Sequence, residues 1–385
     1  MGAFIAGPNF SGRSAALMAW LRERAPAFFV GPYAEAALSG LSSSVADEIA
    51  IYRGREPRRA AFTPLDFAGY AARKPPTLSG GEQVLLALHC FSLSDYAAIG
   101  IDTALEQLDP QNRADALAYL SRGAAGRFTA ALIDNRLASP PGWTARELAS
   151  TATDFACDLA ALHLPARKAP VIGARQLSFR YPGGRDIVRD ADLDLEPGQA
   201  YRLTGPNGAG KTTLFKLLAG VLKPDSGGVT LDGAAYAPWR SGNRIFALAT
   251  QNPDQQWCGA TLAEDLARRR ATLARHPDIA LPSDEVLAAL AARLGVRSME
   301  QHLYELPLVA RKRLGWLWPL AGAMPWAMFD EPTLGQDHAT RAAFAEAVGR
   351  LTASGHGALF VTHDDEFAAM ITHRALRIAG GKVHL

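Results

Sequence analysis

Residues 205–212 read Gly-Pro-Asn-Gly-Ala-Gly-Lys-Thr, and few folds accommodate that text. It satisfies G-x-x-x-x-G-K-[ST], follows an apolar run at Ala200–Thr204 that predicts a strand, and opens an amphipathic stretch from Thr212 to about Ala219 that predicts a helix. In such a loop the glycines let backbone N–H groups curl around phosphate oxygens, and the helix start adds partial positive charge. Lys211 then reaches the β and γ phosphates, and Thr212 offers its hydroxyl to Mg²⁺. Strand, phosphate loop and helix in that order predict an α/β core with a largely parallel sheet.

Downstream, the predicted strand Trp326–Phe329 ends in Asp330 and Glu331. Adjacent acids at a strand end suit two roles: Asp330 in the Mg²⁺ shell, Glu331 orienting or deprotonating an attacking water. His363 closes another strand-like run, Phe360–Thr362, and so arrives at the same sheet edge, within reach of the γ phosphate or the water. Gln251 lies in a polar run, 250–256, that chemistry alone reads as a loop.

The chain also repeats itself. Leu78-Ser79-Gly80-Gly81-Glu82-Gln83 precedes Asp102 by as many residues as Leu306 precedes Asp330. Asp109 and Asp337, and Asn135 and His363, fall in that same register. Gly7-Pro8-Asn9-Phe10-Ser11-Gly12-Arg13-Ser14 echoes the loop at 205–212, with a shorter stretch between it and the later landmarks. Two prolines and two charges near Pro165–Pro170 mark a short linker, giving domains at 1–166 and 167–385. A length of 385 residues agrees with two cores.

Composition excludes several classes. Forty basic against 38 acidic residues, without a long basic tract, predict no nucleic-acid partner. The short arginine runs at Arg53–Arg59 and Arg268–Arg270 read as solvated faces. Cys90, Cys157 and Cys258 have no metal-ligand or redox spacing, which fits a reducing compartment. The most apolar stretch, Leu314–Phe329, contains Pro319 and Pro325 and is too short to cross a bilayer. Met1–Gly12 shows no basic region followed by an apolar run, so no export signal is expected.

Gly205–Thr212, Gln251, Asp330-Glu331, Asp337 and His363, together with Leu78–Gln83, resemble ATP-binding cassette (ABC) ATPases as two nucleotide-binding domains in tandem. The resemblance implies an α/β fold of two P-loop domains, each a mostly parallel sheet with a small helical subdomain, the first one truncated. It makes Gln251 the Q-loop glutamine and a metal ligand, places Asp337 in the D-loop, makes His363 the H-loop histidine, and gives Tyr181 the adenine-stacking role. It further puts Gly205, Asn207, Gly208, Gly210, Lys211, Thr212 and Thr213 on ATP. Ser79, Gly80, Gly81, Glu82 and Asp109 are assigned to nucleotide from the other half. Leu78–Gln83 is similar to the family signature, whose serine and glycines open a helix and can donate to a γ phosphate carried by another domain. Phe179–Gly183, Gln251–Trp257 and Thr261–Ala267, with Ser44–Ala50 in the first half, resemble energy-coupling factor ATPases, which drive micronutrient uptake.

The two halves depart from the pattern in opposite ways. In the first half Arg13 replaces the loop lysine, Thr103 the glutamate, Gly31 the Q-loop glutamine and Asn135 the histidine. Arginine's rigid fork does not replace a lysine point charge in a tight nest, and threonine cannot act as a carboxylate base. In the second half the signature position reads Leu306-Pro307-Leu308-Val309-Ala310-Arg311, bulky where Ser and Gly would admit a phosphate. The expectation is one complete ATP site, with Lys211, Thr212, Gln251, Asp330, Glu331 and His363 facing Ser79, Gly80 and Gly81 by intramolecular pairing. The other, with Arg13, Ser14, Asp102 and Thr103 facing Pro307–Ala310, is inactive, either empty or holding nucleotide without turnover. The expected function is ATP hydrolysis with Mg²⁺, peripheral on the cytoplasmic face of a membrane, driving an integral scaffold and a substrate-binding subunit. A soluble tandem ABC ATPase on ribosomes or DNA, and a non-catalytic ATP-binding regulator, stay open as alternatives.

Overall fold

Strands buried along their whole length set the frame of each half. Ala98–Asp102, Trp326–Asp330 and Gly357–Val361 are buried at every residue, which is why they read as continuous apolar runs: parallel strands covered on both faces do not alternate. The computed structural model describes residues 2–7, 11–53, 61–124, 126–149, 166, 168–181, 186–237, 243, 245–274, 283–294, 296, 298–321 and 324–384. Pro8, Asn9 and Phe10 of the first loop, the arginines at 55, 58 and 59, Cys157, the linker residues Pro165 and Arg167, and Pro182 and Gly183 lie outside the described residues. The chain divides into two compact units, Met1–Thr153 with Leu334–Asp337, and Asp154–Thr333 with His338–Leu385.

The first unit runs β1 (Gly2–Ala6), α1 (Arg13–Arg22), β2 (Ala27–Val30), α2 (Val45–Tyr52), α3 (Gly80–Leu93), β3 (Ala98–Asp102), α4 (Pro110–Ala124), β4 (Thr129–Ile133) and β5 (Thr144–Glu147). Its sheet has the order β2-β3-β4-β1-β5, and every pairing is parallel. Helix α3 is buried from Gly81 to Ser92; Val84–Leu88, Cys90 and Phe91 join Phe28, Phe62, Tyr119 and Phe128 in one core. A helix apolar all round belongs inside a domain, not on its surface.

The second unit contains β6 (Ile172–Arg180), β7 (Asp186–Leu195), β8 (Ala200–Thr204), α5 (Lys211–Leu218), β9 (Ser226–Leu231), β10 (Ala234–Tyr236) and β11 (Phe246–Ala249). It continues with α6 (Leu262–Leu273), α7 (Asp284–Arg293), α8 (Leu308–Leu314), α9 (Leu317–Leu320), β12 (Trp326–Asp330), α10 (His338–Ala353), β13 (Gly357–Val361), α11 (Asp365–Ala369), β14 (Arg374–Ala379) and β15 (Lys382–His384). An antiparallel sheet β10-β9-β6-β7 accompanies a six-stranded sheet β11-β12-β13-β8-β14-β15 that is parallel except for its last pair. The order β11-β12-β13-β8-β14 repeats, strand for strand, the order β2-β3-β4-β1-β5 of the first unit. The repeat seen in the sequence is therefore a repeat of topology, and both units are α/β with a helical part (α2 and α3; α6 to α9). Leu203, Leu214, Phe215, Leu218, Met328, Leu359 and Ile378 belong to the core of the second unit. The apolar stretch Leu314–Phe329 is divided among the end of α8, α9 and β12. Among the described residues no helix is long and apolar enough to cross a membrane.

Candidate functional site

The loop 205–210 joins β8 to α5, and its geometry demands its glycines. Gly205 has φ +152, and a Cβ there would lie 2.4 Å from the carbonyl oxygen of Ile378 in β14. Gly210 has φ +102, and its Cβ would lie 2.6 Å from Ile187 Cγ2 in β7. Neither conformation nor space admits another residue type. Gly210 is the N-cap of α5 and no side chain caps the helix, so the first turn presents backbone donors as an anion site does. Lys211 is buried and folds back on the loop, its Nζ donating to the carbonyls of Gly205 (2.8 Å) and Pro206 (3.0 Å). Asn207 and Gly208 border a cavity of about 530 Å³ that Arg180, Asp186, Arg189 and Gly381 also line, a volume in the small-ligand range. Tyr181 is 36% exposed, sits edge-on to Phe179 at 4.9 Å between ring centroids, and shares a 3.4 Å hydroxyl pair with Thr213 of α5.

At the end of β12 the two adjacent acids part company. Thr212 Oγ1 donates to Asp330 Oδ2 at 3.2 Å. Burial pushes the Asp330 carboxyl above the usual carboxylate range, opposed by Lys312, Lys216, the Thr212 bond and Lys211. A hydroxyl and a carboxylate oxygen side by side at a phosphate loop fit Mg²⁺, which takes one or two protein oxygens and completes its shell with phosphate and water. ATP fits the same place on the evidence of the glycine-walled loop and its uncapped helix. Glu331 turns away through a left-handed backbone, φ 45, its N–H donating to Val361 O at 2.8 Å. Its carboxylate accepts the His363 N–H at Oε1 (3.2 Å) and the Thr362 hydroxyl at Oε2 (3.2 Å), with His363 Nε2 3.9 Å from Oε1. The parallel pairing of β12, β13 and β8 brings these residues to one sheet edge.

Gln251 follows β11, in the run that reads as a loop, and there the structure is firmly braced. The Thr250 N–H donates to Gln256 Oε1 at 3.1 Å, and Asn252 caps the short turn Pro253–Gln255. Asp265, wholly buried, accepts the Cys258 N–H (2.7 Å) and Arg269 Nε (2.7 Å), while Arg269 also donates to Gln256 O. Arg269 lies over the Trp318 ring at 5.6 Å, and Arg270 pairs with Asp284 at 2.8 Å. The expectation of a solvated arginine face fails at Arg269, because a buried carboxylate four residues earlier on α6 draws it inward. Lys312 of α8 donates to the carbonyls of Thr250 (3.2 Å), Gln251 (2.5 Å) and Asp330 (3.4 Å). Sequence reasoning placed Arg269 on a solvated face and assigned no role to Asp265 or Lys312; the Asp265/Arg269 spacing was the available signal, and Lys312 offered none.

The first unit keeps the backbone of such a site with other side chains. Ser14 Oγ donates to Asp102 Oδ2 at 2.5 Å, the counterpart of the Thr212–Asp330 pair. Thr103 has φ 55 and donates its N–H to Ile133 O at 2.8 Å, as Glu331 does to Val361. Arg13, buried, reaches across to Asn135 Oδ1 at 2.7 Å. The Asn135 N–H and side-chain amide both go to Glu106 Oε1 at 2.9 Å, so Glu106, which the repeat aligns with Leu334, holds the place where the second unit uses Glu331. Burial holds the Glu106 carboxyl above the usual range, opposed first by Arg136.

The two signature positions differ in how their helices begin. Ser79 caps α3 in a reciprocal box: Glu82 N–H to Ser79 Oγ at 3.4 Å, Ser79 N–H to Glu82 Oε2 at 2.8 Å. Gly80 and Gly81 form the first turn, and Glu82 acts there by closing the cap. Asp109 accepts the Asn112 N–H (2.9 Å) and Nδ2 (2.8 Å) at the start of α4. At the corresponding place in the second unit Pro307 precedes α8 with no side-chain cap.

A family model described as "ABC transporter" matches residues 188–334. The cobalt import ATP-binding protein CbiO of Rhodobacter capsulatus is 32% identical over 222 residues, covering 56% of this chain and 77% of that protein. The chain belongs to the ABC transporter ATP-binding family. The energy-coupling factor transporter ATP-binding protein EcfA of Methanothermobacter thermautotrophicus is a further relative, 30% identical over 221 residues, 55% of this chain and 69% of that protein. Among solved structures, one titled "RNase-L Inhibitor" superposes with a TM-score of 0.59 at 17% identity, covering 100% of this chain and 85% of that one, a likeness of fold. As an ABC ATP-binding protein, the chain binds ATP through its ABC domain.

Proposed function

We propose that this ABC protein is the ATP-hydrolysing, energy-coupling subunit of a membrane importer of the energy-coupling factor type. Of its relatives, CbiO is named a cobalt import ATP-binding protein and EcfA an energy-coupling factor transporter ATP-binding protein, which supports the reading. The observation that carries hydrolysis is the asymmetry between units. Glu331 is held by His363 and Thr362 beside the Thr212–Asp330 pair, whereas the first unit has Thr103, Asn135 and an Arg13 bonded to Asn135. One hydrolytic site follows, built on Lys211, Thr212, Gln251, Asp330, Glu331 and His363 and completed by the Ser79-Gly80-Gly81 end of α3 from the same chain. Domains at 1–166 and 167–385 are part of this reading.

Mg²⁺, when bound, neutralises phosphate charge at the bond that breaks. Lys211 and the backbone donors of the loop would hold the phosphates, Thr212 and Asp330 would hold the metal with Gln251, and Tyr181 would flank the base. Glu331 accepts a proton from, or orients, water beside the γ phosphate, and the His363 main chain keeps that carboxylate in place. The protein works at the cytoplasmic face with an integral scaffold and a substrate-binding subunit.

MgATP hydrolysis by the purified chain tests this, with Glu331→Gln and Ser79→Arg measured alongside. Glu331→Gln is expected to lower turnover by about 10² to 10⁴-fold while ATP still binds, and Ser79→Arg to abolish it. Wild-type turnover in Ser79→Arg defeats the single-chain composite site. A tandem ATPase acting on ribosomes fits the whole-chain fold equally; stimulation of turnover by ribosomes and not by membrane subunits would favour it.

A further inference from the structure

One buried cation of the second unit, Lys312, belongs to no part of that mechanism. Lys312 is 3% exposed, and its ammonium has three protons and three acceptors: the carbonyls of Thr250, Gln251 and Asp330. None of its hydrogen-bond partners is a carboxylate. Burying an ammonium costs more than burying a methylene chain of the same length, and the charges of Asp330 and Glu331 oppose that cost, so packing alone does not account for it. The carbonyls of Thr250 and Gln251 directly follow the end of β11 and that of Asp330 ends β12, two neighbouring parallel strands. Two of them belong to Gln251 and Asp330 themselves.

We propose that Lys312 is a positioning residue: a single ammonium ties the end of β11 to the end of β12 and so fixes the separation of Gln251 and Asp330, with α8 as its mount. The proposal rests on the ATP-hydrolysing reading of this edge. Lys312 touches neither nucleotide nor metal and acts through the two residues whose main chain it holds.

The test compares the wild-type full chain with Lys312→Met, which keeps the stem and removes every donor, and Lys312→Gln, which restores two. Amide hydrogen exchange of the nucleotide-free chain reads the tie, and kcat, KM and Mg²⁺ dependence of hydrolysis read its consequence. In Lys312→Met, exchange in 249–256 should quicken about tenfold while that in β6, β7 and α3 stays unchanged. Its kcat should fall about tenfold or more, because displacement of a reacting group by ~1 Å costs up to ~10²-fold. KM for ATP should stay within about threefold and the half-saturating Mg²⁺ concentration should rise; Lys312→Gln should recover part of each effect. Unchanged exchange at 249–256, or a faster exchange spread evenly through the second unit, overturns the proposal, as does wild-type kcat in Lys312→Met. No turnover in the wild type instead overturns the ATPase reading itself.

Discussion

At the scale of single residues, chemistry fixes type where a ligand or a backbone torsion leaves one choice. Gly205, Gly210, Lys211 and Thr212 were legible for that reason, and so were Asp330 and Glu331 at a strand end. Gly205→Ala should bind ATP poorly and unfold at lower urea, by more than about 1 kcal/mol, since a side chain at positive φ is strained and its Cβ meets Ile378 O. Equal binding by equilibrium titration would contradict that geometry. Lys312 and Glu106 were not legible, because each earns its role from partners far along the chain: Thr250 and Asp330 for one, Asn135 for the other. A lysine in a short helix after a proline has the local look of any surface lysine.

At the scale of elements, the buried strands announced themselves as apolar runs, and the start of α3 was visible in Ser79, Gly80 and Gly81, whereas the part Glu82 takes in its cap was not. The strand order was not, since the pairing of β1 with β4 and β5 depends on contacts no local window contains. Helix α3 also carries a titratable group in its core. His89 Nδ1 lies 2.6 Å from Phe62 O and its ring 4.8 Å from that of Phe67; burial lowers its pKa from the ordinary 6.5, opposed by the bond to Phe62. The unfolded chain takes up the proton near 6.5 and the folded chain only at lower pH, so folding is penalised increasingly as pH falls below that value and unaffected well above it. The melting temperature of the first unit should therefore drop from pH 7.5 to 5.5 (assay values of roughly one unit either side of the ordinary histidine pKa) more steeply in wild type than in His89→Asn. Parallel curves would show that the ring is not what titrates.

At the scale of the whole molecule, each of the two sheets of matching strand order packs on hydrophobic core of its own unit. Each unit then has the means to melt as its own cooperative step. In scanning calorimetry two transitions are expected, and MgATP at about 100 times its Kd should stabilise the second-unit transition by about 2.7 kcal/mol. In Glu331→Gln the bound nucleotide should count one per chain, given an Arg13 already engaged by Asn135; two per chain would show that the first loop still binds. The left-handed residue after each strand-end aspartate, Thr103 in one sheet and Glu331 in the other, has a practical consequence. The two positions offer an internal standard for each other: an isotope label or fluorinated probe at 103 and at 331 reports the same left-handed backbone setting twice in one tube. Differences between the two signals are then free of variation in concentration, buffer or preparation.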